Sequence, residues 1–417
     1  KEWLKNFSDE EILAKDKEFW DFLSEHAYPV TKGSMRIPIS LEPFFIDNRE
    51  YTRLKTNLLH FVSAAKKIAN KYYEDDEIKK IIILNEHEQA LIEHSKDEDF
   101  VGILRLDTFW DNGIKIVEIN ADFPDGLFMH DVTSEKILSF LNLPQDISHA
   151  NLFNELMHSF GINHDNHLFV GYNEGRTFID EFVLSKIKLD ALGWKNISVD
   201  SFDKISMKNN DLIYDNKKID VIRRGVELSK LRKSFDIMNY LLHANAIIIN
   251  NFKMRLLGHK SLLIALSDSR FHKYLTYEET DAVENLLPQT IKLNKKNADK
   301  IIFKKDIWVL KPSDLAEGEG VVVGSSVTDT LWRKSIEEAL QNTDHWVIQE
   351  KIIIPEETFN LVIDKKIVSS QKKYDLNPHI FLLRDRIEMG KMIVRFSESS
   401  ILNVMQGGGL TYAFVKN

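Results

Sequence analysis

The spacing of apolar positions changes along the chain, and each change marks a different kind of element. Residues 1–95 follow helical spacing. Ser8-Asp-Glu-Glu11 suits a helix start, where a serine and then acids meet the free amides, and Ile12, Leu13, Phe19, Trp20, Phe22 and Leu23 follow it. Leu54, Leu58, Leu59, Phe61, Val62, Ala65 and Ile68 make one apolar stripe, predicting a second helix from about Glu50 to Tyr73. Ile81-Ile-Ile-Leu84 is too short for periodicity to separate a buried strand from a helix end. From Gly102 to Asp122 the pattern alternates on both sides of Asn112-Gly113, the strongest short-range signal for a hairpin. A two-residue turn there sets Asp111 opposite Ile114, Asp107 opposite Glu118 and Arg105 opposite Asn120, with the last two pairs on one face.

Phe123-Pro-Asp-Gly126 reads as a turn before a helix from about Val132 to Leu141. Residues 151–255 then alternate strand and helix. Helices near Leu152 to Phe160 and from Thr177 to Leu192 sit among strands at Leu168 to Gly171, Ile197 to Val199, Leu212 to Tyr214 and Ile219 to Ile222. That alternation predicts a small parallel α/β domain.

Composition narrows the function classes. A chain of 417 residues with 43% hydrophobic content buries a sizeable core and has room for two or three domains. The formal charge of −9 gives no global attraction to nucleic acid or anionic lipid, so phosphate binding has to come from a local site. The absence of cysteine excludes disulfides, thiolate metal sites and thiol nucleophiles. Apolar runs such as Ala246-Ile-Ile-Ile249 are too short to span a bilayer, and the expectation is a cytoplasmic protein with no membrane or nucleic-acid partner. The sequence does not determine an oligomeric state.

Two carboxylates facing each other across a strand pair repel, so Asp107 and Glu118 call for a compensating positive charge. With the amide of Asn120 they form a hard oxygen set suited to Mg²⁺; the alternative is a polar face on which Arg105 neutralises Asp107. Further on, Trp308-Val-Leu-Lys311 is an apolar strand ending in lysine, followed by the loop Glu317-Gly318-Glu-Gly320. Glycines let backbone amides approach phosphate oxygens while Lys311 supplies charge, although Gly-x-Gly beside a strand is also an ordinary turn. Gln349, Glu350, Lys351 and Ile352 interrupt an apolar run, either to offer main-chain groups to an adenine edge or as a plain edge strand. Arg395 and Gly407-Gly408-Gly409 are candidates for a γ-phosphate contact, the glycines otherwise being a flexible turn. In the α/β domain, Glu174, Arg223 and Arg224 stand at strand ends, where open sheets bind ligands; a salt-bridged arginine is the alternative.

The ordered set Arg105-x-Asp107, Glu118-x-Asn120, His259-Lys260-Ser-Leu262, Leu287-Pro-Gln-Thr290, Trp308 to Lys311, Glu317 to Gly324, Gln349-Glu350, and Arg395 with Asn403 to Gly409 resembles circularly permuted ATP-grasp proteins, in particular the glutathionylspermidine synthase-like branch. The resemblance spans about residues 100 to 417. It implies an α+β, α/β fold with a helical leader (1–95), a metal-bearing hairpin and helix (96–150), a Rossmann-like pre-ATP-grasp domain (151–255) and a nucleotide-binding region (256–417) whose lid covers about 297–350. It also implies ATP and Mg²⁺ as cofactors. In that reading Asp107, Glu118 and Asn120 hold metal, Arg105 and Arg395 balance phosphoryl charge, and Lys260, Lys311, Glu317, Gly318, Gly320, Asn403 and Gly407 to Gly409 surround phosphates. Gln349 to Ile352 frame adenine, and Glu357 reaches the ribose. The cysteine-dependent amidase of the full synthases is impossible here. The implied activity is an ATP-dependent carboxylate–amine ligase that forms an amide through an acylphosphate, from small-molecule or peptide acid and amine substrates. A phosphotransferase at the same site and a non-catalytic nucleotide-binding scaffold are the alternatives.

Overall fold

The computed structural model describes residues 6–26, 37–110, 113–145, 147–174, 180–228, 235–314, 318–400, 402, 404 and 407–416. The candidates Glu317 and Asn403, and the Asp111-Asn112 half of the hairpin turn, lie outside the described residues.

The molecule is organised on a seven-stranded sheet. It comprises β1 (Phe44–Asp47), β2 (Gly102–Trp110), β3 (Ile114–Asn120), β15 (Glu356–Ile363), β16 (Lys366–Leu382), β17 (Ile387–Ser397) and β18 (Gly409–Lys416). Its order is β1-β18-β17-β16-β2-β3, with β15 paired to β16. The helix α1 (Asp9–His26) begins as its sequence predicts, Ser8 and Glu11 capping each other through amide and side-chain bonds of 2.7 and 3.3 Å. The region expected as a helical leader also contains a strand, β1, which pairs in parallel with β18, Phe44 beside Ala413. The helix α2 (Asn48–Asn70) lays Leu58, Phe61 and Ile68 on the sheet's Leu104, Leu376 and Val394. Ile81 closes a short helix, α3 (Asp76–Ile81), and Ile82 to Leu84 enter no strand; α4 (Glu86–His94) follows. The sheet's other face is covered by α5 (Leu127–Phe140) and α6 (His149–Ser159), through Phe128 and Phe153 against Ile103 and Phe381.

A second sheet has the order β10-β9-β4-β5 and is parallel throughout, as the alternation predicts. It contains β4 (Leu168–Tyr172), β5 (Ile197–Ser201), β9 (Val221–Arg224) and β10 (Ile247–Ile249), with α7 (Asp180–Ala191) between β4 and β5. A small antiparallel flap of β6 (Ser206–Lys208), β7 (Asp211–Tyr214) and β8 (Lys217–Lys218) rises from it. Asn250, just past β10, ties this unit to the hairpin: its amide binds Ile103 N and O at 3.0 and 2.6 Å and Ala121 O at 2.7 Å. A Cβ on Gly102 would stand 2.5 Å from that amide, so only glycine lets the two segments meet.

The third sheet, β11-β14-β12-β13, contains β11 (Thr290–Lys292), β12 (Trp308–Pro312), β13 (Val322–Val323) and β14 (Trp346–Glu350). Its own small core of Leu310, Ile348 and Trp332 lets it sit as a lid above the large sheet. No described helix is long and apolar enough to cross a membrane.

Candidate functional site

The hairpin puts its polar face where the sequence predicts, by a different route. Near the turn the register is Trp110 opposite Ile114 and Thr108 opposite Ile116, one residue away from a two-residue turn. A bulge then inserts Val117, and beyond it Asp107 faces Glu118 and Arg105 faces Asn120. An extra residue on one strand re-aims its side chains, so two offsets cancel. The bulged residue is used, since the Val117 carbonyl accepts the Lys311 ammonium at 3.2 Å.

These residues line a cavity of about 720 Å³ between the large sheet and the lid. Arg105, Asp107, Glu118 and Asn120 come from the hairpin, Lys311 and Gln349 from the lid, Asp375, Asn377 and Arg395 from β16 and β17, and Lys260 from the turn before the helix Ser261–Ser267. Arg105, Lys260, Lys311 and Arg395, drawn from four segments, thus converge on one space that Lys351 and Lys373 also line. Asp107 is held by two of them: Arg105 Nε donates to Oδ1 at 2.9 Å and Arg395 Nη2 to Oδ2 at 2.8 Å. Burial alone would push this carboxyl up, but the two guanidiniums outweigh it and hold Asp107 below the usual carboxylate range. Arg395 also reaches Asp375 at 2.5 Å, and Asn377 Nδ2 donates to Asp375 at 2.6 Å. Burial nevertheless raises the Asp375 carboxyl, Arg395 offsetting it only in part. Lys260 Nζ lies 2.9 Å from Glu118 Oε1. The positive charge that the hairpin carboxylates require is therefore already supplied by arginine and lysine.

Lys311 donates to Gln349 Oε1 at 2.6 Å, and Gln349 passes the polarity on to Thr290 through a 3.1 Å bond. Burial lowers the Lys311 ammonium to about 8, against the opposing pull of Glu118. The same cavity is also lined by Asp125, Asp180, Glu181 and Glu227. Glu181 accepts amides of Phe128 and Met129 at the start of α5 and pairs with Arg223 at 3.3 Å. Burial raises its carboxyl to about 7 in spite of Arg223, with Asp125 adding to the rise.

The remaining candidates divide between cavity and scaffold. Gly318, Glu350, Lys351 and Ile352 line the cavity. Gly318 and Gly320 have φ of 76° and 72°, the left-handed backbone in which glycine carries no Cβ penalty. Glu350 ends an internal strand and not an edge, because β14 lies between β11 and β12. The Glu350 and Lys351 amides donate to Gln289 and Ile307, so the free main chain begins at Ile352. Glu357 sits on β15, Glu174 is exposed, and neither belongs to the cavity wall. Gly407 to Gly409 also stay off the wall. A Cβ on Gly409 would strike the Phe396 ring at 2.3 Å, which makes that glycine a packing requirement where β18 starts. Arg223 reaches the cavity only through Glu181. Arg224 is sealed inside, donating to the carbonyls of Val226 at 2.6 Å and Asp122 at 3.0 Å and pairing with the Asp122 carboxylate at 2.7 Å.

Sequence reading missed Asp375, Asn377 and the lining acids Asp125, Asp180, Glu181 and Glu227. The signal for the first two was present: Tyr374-Asp-Leu-Asn-Pro-His379 alternates inside a long strand and puts Asp375, Asn377 and His379 on one face.

No family model and no curated protein matches the chain. Among solved structures it is similar to a glutathione synthetase-like effector from Globodera pallida, at 12% identity and TM-score 0.69, with 98% of each chain covered. A putative gamma-glutamylcysteine synthetase from Methylobacillus flagellatus aligns at 12% identity and TM-score 0.46 over 84% of this chain and 85% of that one. The likeness is one of fold, and the architecture is the α+β ATP-grasp arrangement.

Proposed function

We propose that the protein is an ATP-dependent ligase that joins a carboxylate to an amine, in a circularly permuted form of the fold whose acidic hairpin precedes the lid in the chain. One observation carries this reading: Arg105, Lys260, Lys311 and Arg395 converge beneath a lid on a cavity that Asp125, Asp180, Glu181 and Glu227 also line. The cationic groups suit a triphosphate and the acid it activates. The acidic groups suit a cationic amine.

The residues present fit Mg²⁺. Glu118 and Asn120 lie on one face of β3 and both line the cavity. Among the described residues the buried Asn120 Nδ2 has no acceptor, a cost of roughly 1–3 kcal/mol at a side chain that lines the cavity. One carboxylate and one amide oxygen, completed by water and phosphate, are a sufficient magnesium set. Asp107 fits less well as a ligand, because both its oxygens hold guanidiniums. Glu118 and Asn120 would hold the ion, which when bound screens phosphate charge and lets the γ-phosphorus be attacked.

The chain's own residues do the rest. Lys311 and Lys260 offset charge on the phosphates, and Arg395 and Arg105 release part of their hold on Asp107 and Asp375 to meet the transferred phosphoryl group. The substrate carboxylate attacks the γ-phosphorus, ADP leaves, and an acylphosphate forms. An amine then attacks the acyl carbon, phosphate leaves with the C–O bonding pair, and the amine's proton passes to a basic group of the cavity wall. Glu181, whose carboxyl burial pushes up to about 7, lines that wall and is the candidate. Positioning and electrostatics carry such a transfer, so no dedicated base is needed for the first step.

The doubly held Asp107 favours a second reading, a non-catalytic nucleotide-binding module. Incubation with ATP, Mg²⁺, hydroxylamine and a panel of carboxylic acids separates the two. A ligase yields ADP with a hydroxamate in equal amounts, a phosphotransferase yields ADP without hydroxamate, and a binding module yields neither.

A further inference from the structure

Behind the cavity floor three imidazoles meet. His130 lies on α5, His149 opens α6 and His379 follows Asp375 and Asn377 on β16. One ligand-capable nitrogen from each falls within 4.8 Å of the others. Ring centroids are 4.8 Å apart for His149–His379, 5.0 Å for His130–His149 and 6.3 Å for His130–His379. The residues are 2%, 0% and 0% exposed, in the order His130, His149, His379. Among the described residues neither ring nitrogen of His130 has a hydrogen-bond partner, and His379 meets only the backbone of Asp125, at the margin of hydrogen-bond geometry. A neutral imidazole carries one N–H and one lone pair, so His130 leaves both unmet and His379 at least its lone pair, in one sealed place. A core made only for packing would shed that burden by substituting leucine or phenylalanine.

The surroundings hold the rings apart from solvent and set their orientation. The register of β16 and β17 breaks between Pro378 and Ile380, opposite Gly390 and Lys391. That break sends the Lys391 amide out of the ladder to His149 Nε2 at 3.0 Å. His149 Nδ1 donates to the Leu127 carbonyl at 3.0 Å, which fixes Nε2 as the lone-pair nitrogen. A Cβ on Gly390 would stand 2.8 Å from that nitrogen, and glycine keeps the approach open. The Tyr412 ring stacks on His130 at 4.5 Å. One layer out, the Asp131 carboxylate accepts the amides of His149 and Ala150 at 2.9 and 2.8 Å and pairs with Lys391 at 3.1 Å. Burial lowers all three imidazoles below the ordinary histidine range, which keeps them in the neutral, metal-binding form.

We propose that His130, His149 and His379 form a metal site separate from the cavity carboxylates, taking a borderline divalent first-row ion of the zinc class. Imidazole nitrogen selects such ions over magnesium, while the oxygens of Glu118 and Asn120 select magnesium. With Zn–N bonds of about 2.0–2.1 Å the three donors stand about 3.4 Å apart, so from a spread within 4.8 Å they close by at most about 1.4 Å. His149 exchanges its bond from Lys391 for the ion and keeps the Leu127 carbonyl on its other nitrogen, the arrangement that orients metal-bound histidines. The ion links α5, α6 and β16. His379 is the cross-strand neighbour of Arg105, so the ion braces the strand that carries the cavity's polar face.

The test starts from full-length protein freed of metal with a chelator, titrated with Zn²⁺ and, as a spectroscopic probe, Co²⁺. One ion per chain binds, raises the melting temperature, and survives saturating Mg²⁺. His130→Leu and His379→Leu weaken Zn²⁺ binding on the order of 100-fold or more, and Glu118→Gln leaves it within about 3-fold. X-ray absorption on zinc-loaded wild type needs no variant to fold, and it shows a nitrogen-dominated shell with imidazole scattering. An oxygen-dominated shell, zinc binding lost in Glu118→Gln but kept in both histidine variants, or no binding by folded wild type at micromolar Zn²⁺, each overturns the site.

Discussion

Arg395 and Arg224 are both set deep in the protein and both touch carboxylates, yet they belong to opposite kinds of region. Arg224 has a fully covered side chain, and it spends its donors on the carbonyls of Val226, Asp122 and Asn250 as well as on the Asp122 carboxylate. Arg395 keeps 17% of its side chain open to the cavity and spends its donors on Asp107, Asp375 and Asn377. Backbone acceptors cannot move without unfolding, so Arg224 is a strut. Side-chain acceptors facing a cavity are able to reorganise around a ligand, so Arg395 is free to exchange partners. The acceptor's identity, more than the arginine's burial, separates scaffold from site.

Breaking the strut has the largest expected effect. Arg224→Met leaves the Asp122 carboxylate buried and unpaired and should cost about 3–5 kcal/mol, read as a lower urea midpoint at unchanged slope. A loss under about 1 kcal/mol would place Arg224 with the cavity arginines. Next comes Lys311→Met, which acts on the other side of the comparison. Among the described residues Lys311 makes no direct ion pair, so replacing this desolvated ammonium with an apolar chain should leave the urea midpoint unchanged or raise it, while ATP affinity falls on the order of 10–100-fold. Equal losses of stability and affinity would make Lys311 structural.

Two smaller effects follow pH. The folded Lys311 value of about 8 lies below the unfolded one near 10.5, so the unfolded chain binds more protons between them. Its contribution therefore makes stability rise from pH 8 to 10.5, whereas nucleotide affinity declines through the same range as the charge is lost; Lys311→Met should flatten both trends. Glu181 has the opposite sign in the neighbouring region. Its folded value of about 7 exceeds the unfolded 4.5, so the native state holds the extra proton and stability falls as pH rises from 4.5 to 7. Glu181→Gln should remove that slope, as followed by the thermal midpoint across the interval. A slope that persists in the variant would locate the titration elsewhere.

The two regions also differ in how far their sequence could be read. Alternation about Asn112-Gly113 located the polar face of the hairpin, because parity in a strand is local. The Val117 bulge that corrects its register was not legible, since nothing in the local pattern marks an extra residue. Arg223-Arg224 at the end of β9 suggested an open crevice. Instead Gly225 brings the chain onto the end of β4, its amide bonding Gly171 O at 2.7 Å, and a Cβ there would lie 2.6 Å from that oxygen. The crevice closes through a contact 54 residues away in sequence, beyond any local rule. Asp375 was hidden for a related reason: a carboxylate in a long strand looks like any solvated position until β2 and β17 are known to flank it.

The central claim is that the cavity's cationic side chains bind ATP with a magnesium ion held at Glu118. Calorimetric titration of ATP with and without Mg²⁺, on wild type and on Glu118→Gln, tests it most directly. The account predicts binding that Mg²⁺ tightens in the wild type, a magnesium effect that Glu118→Gln abolishes, and circular dichroism spectra that coincide. Failure of folded wild type to bind at millimolar ATP, or a magnesium effect undiminished in Glu118→Gln, would contradict it.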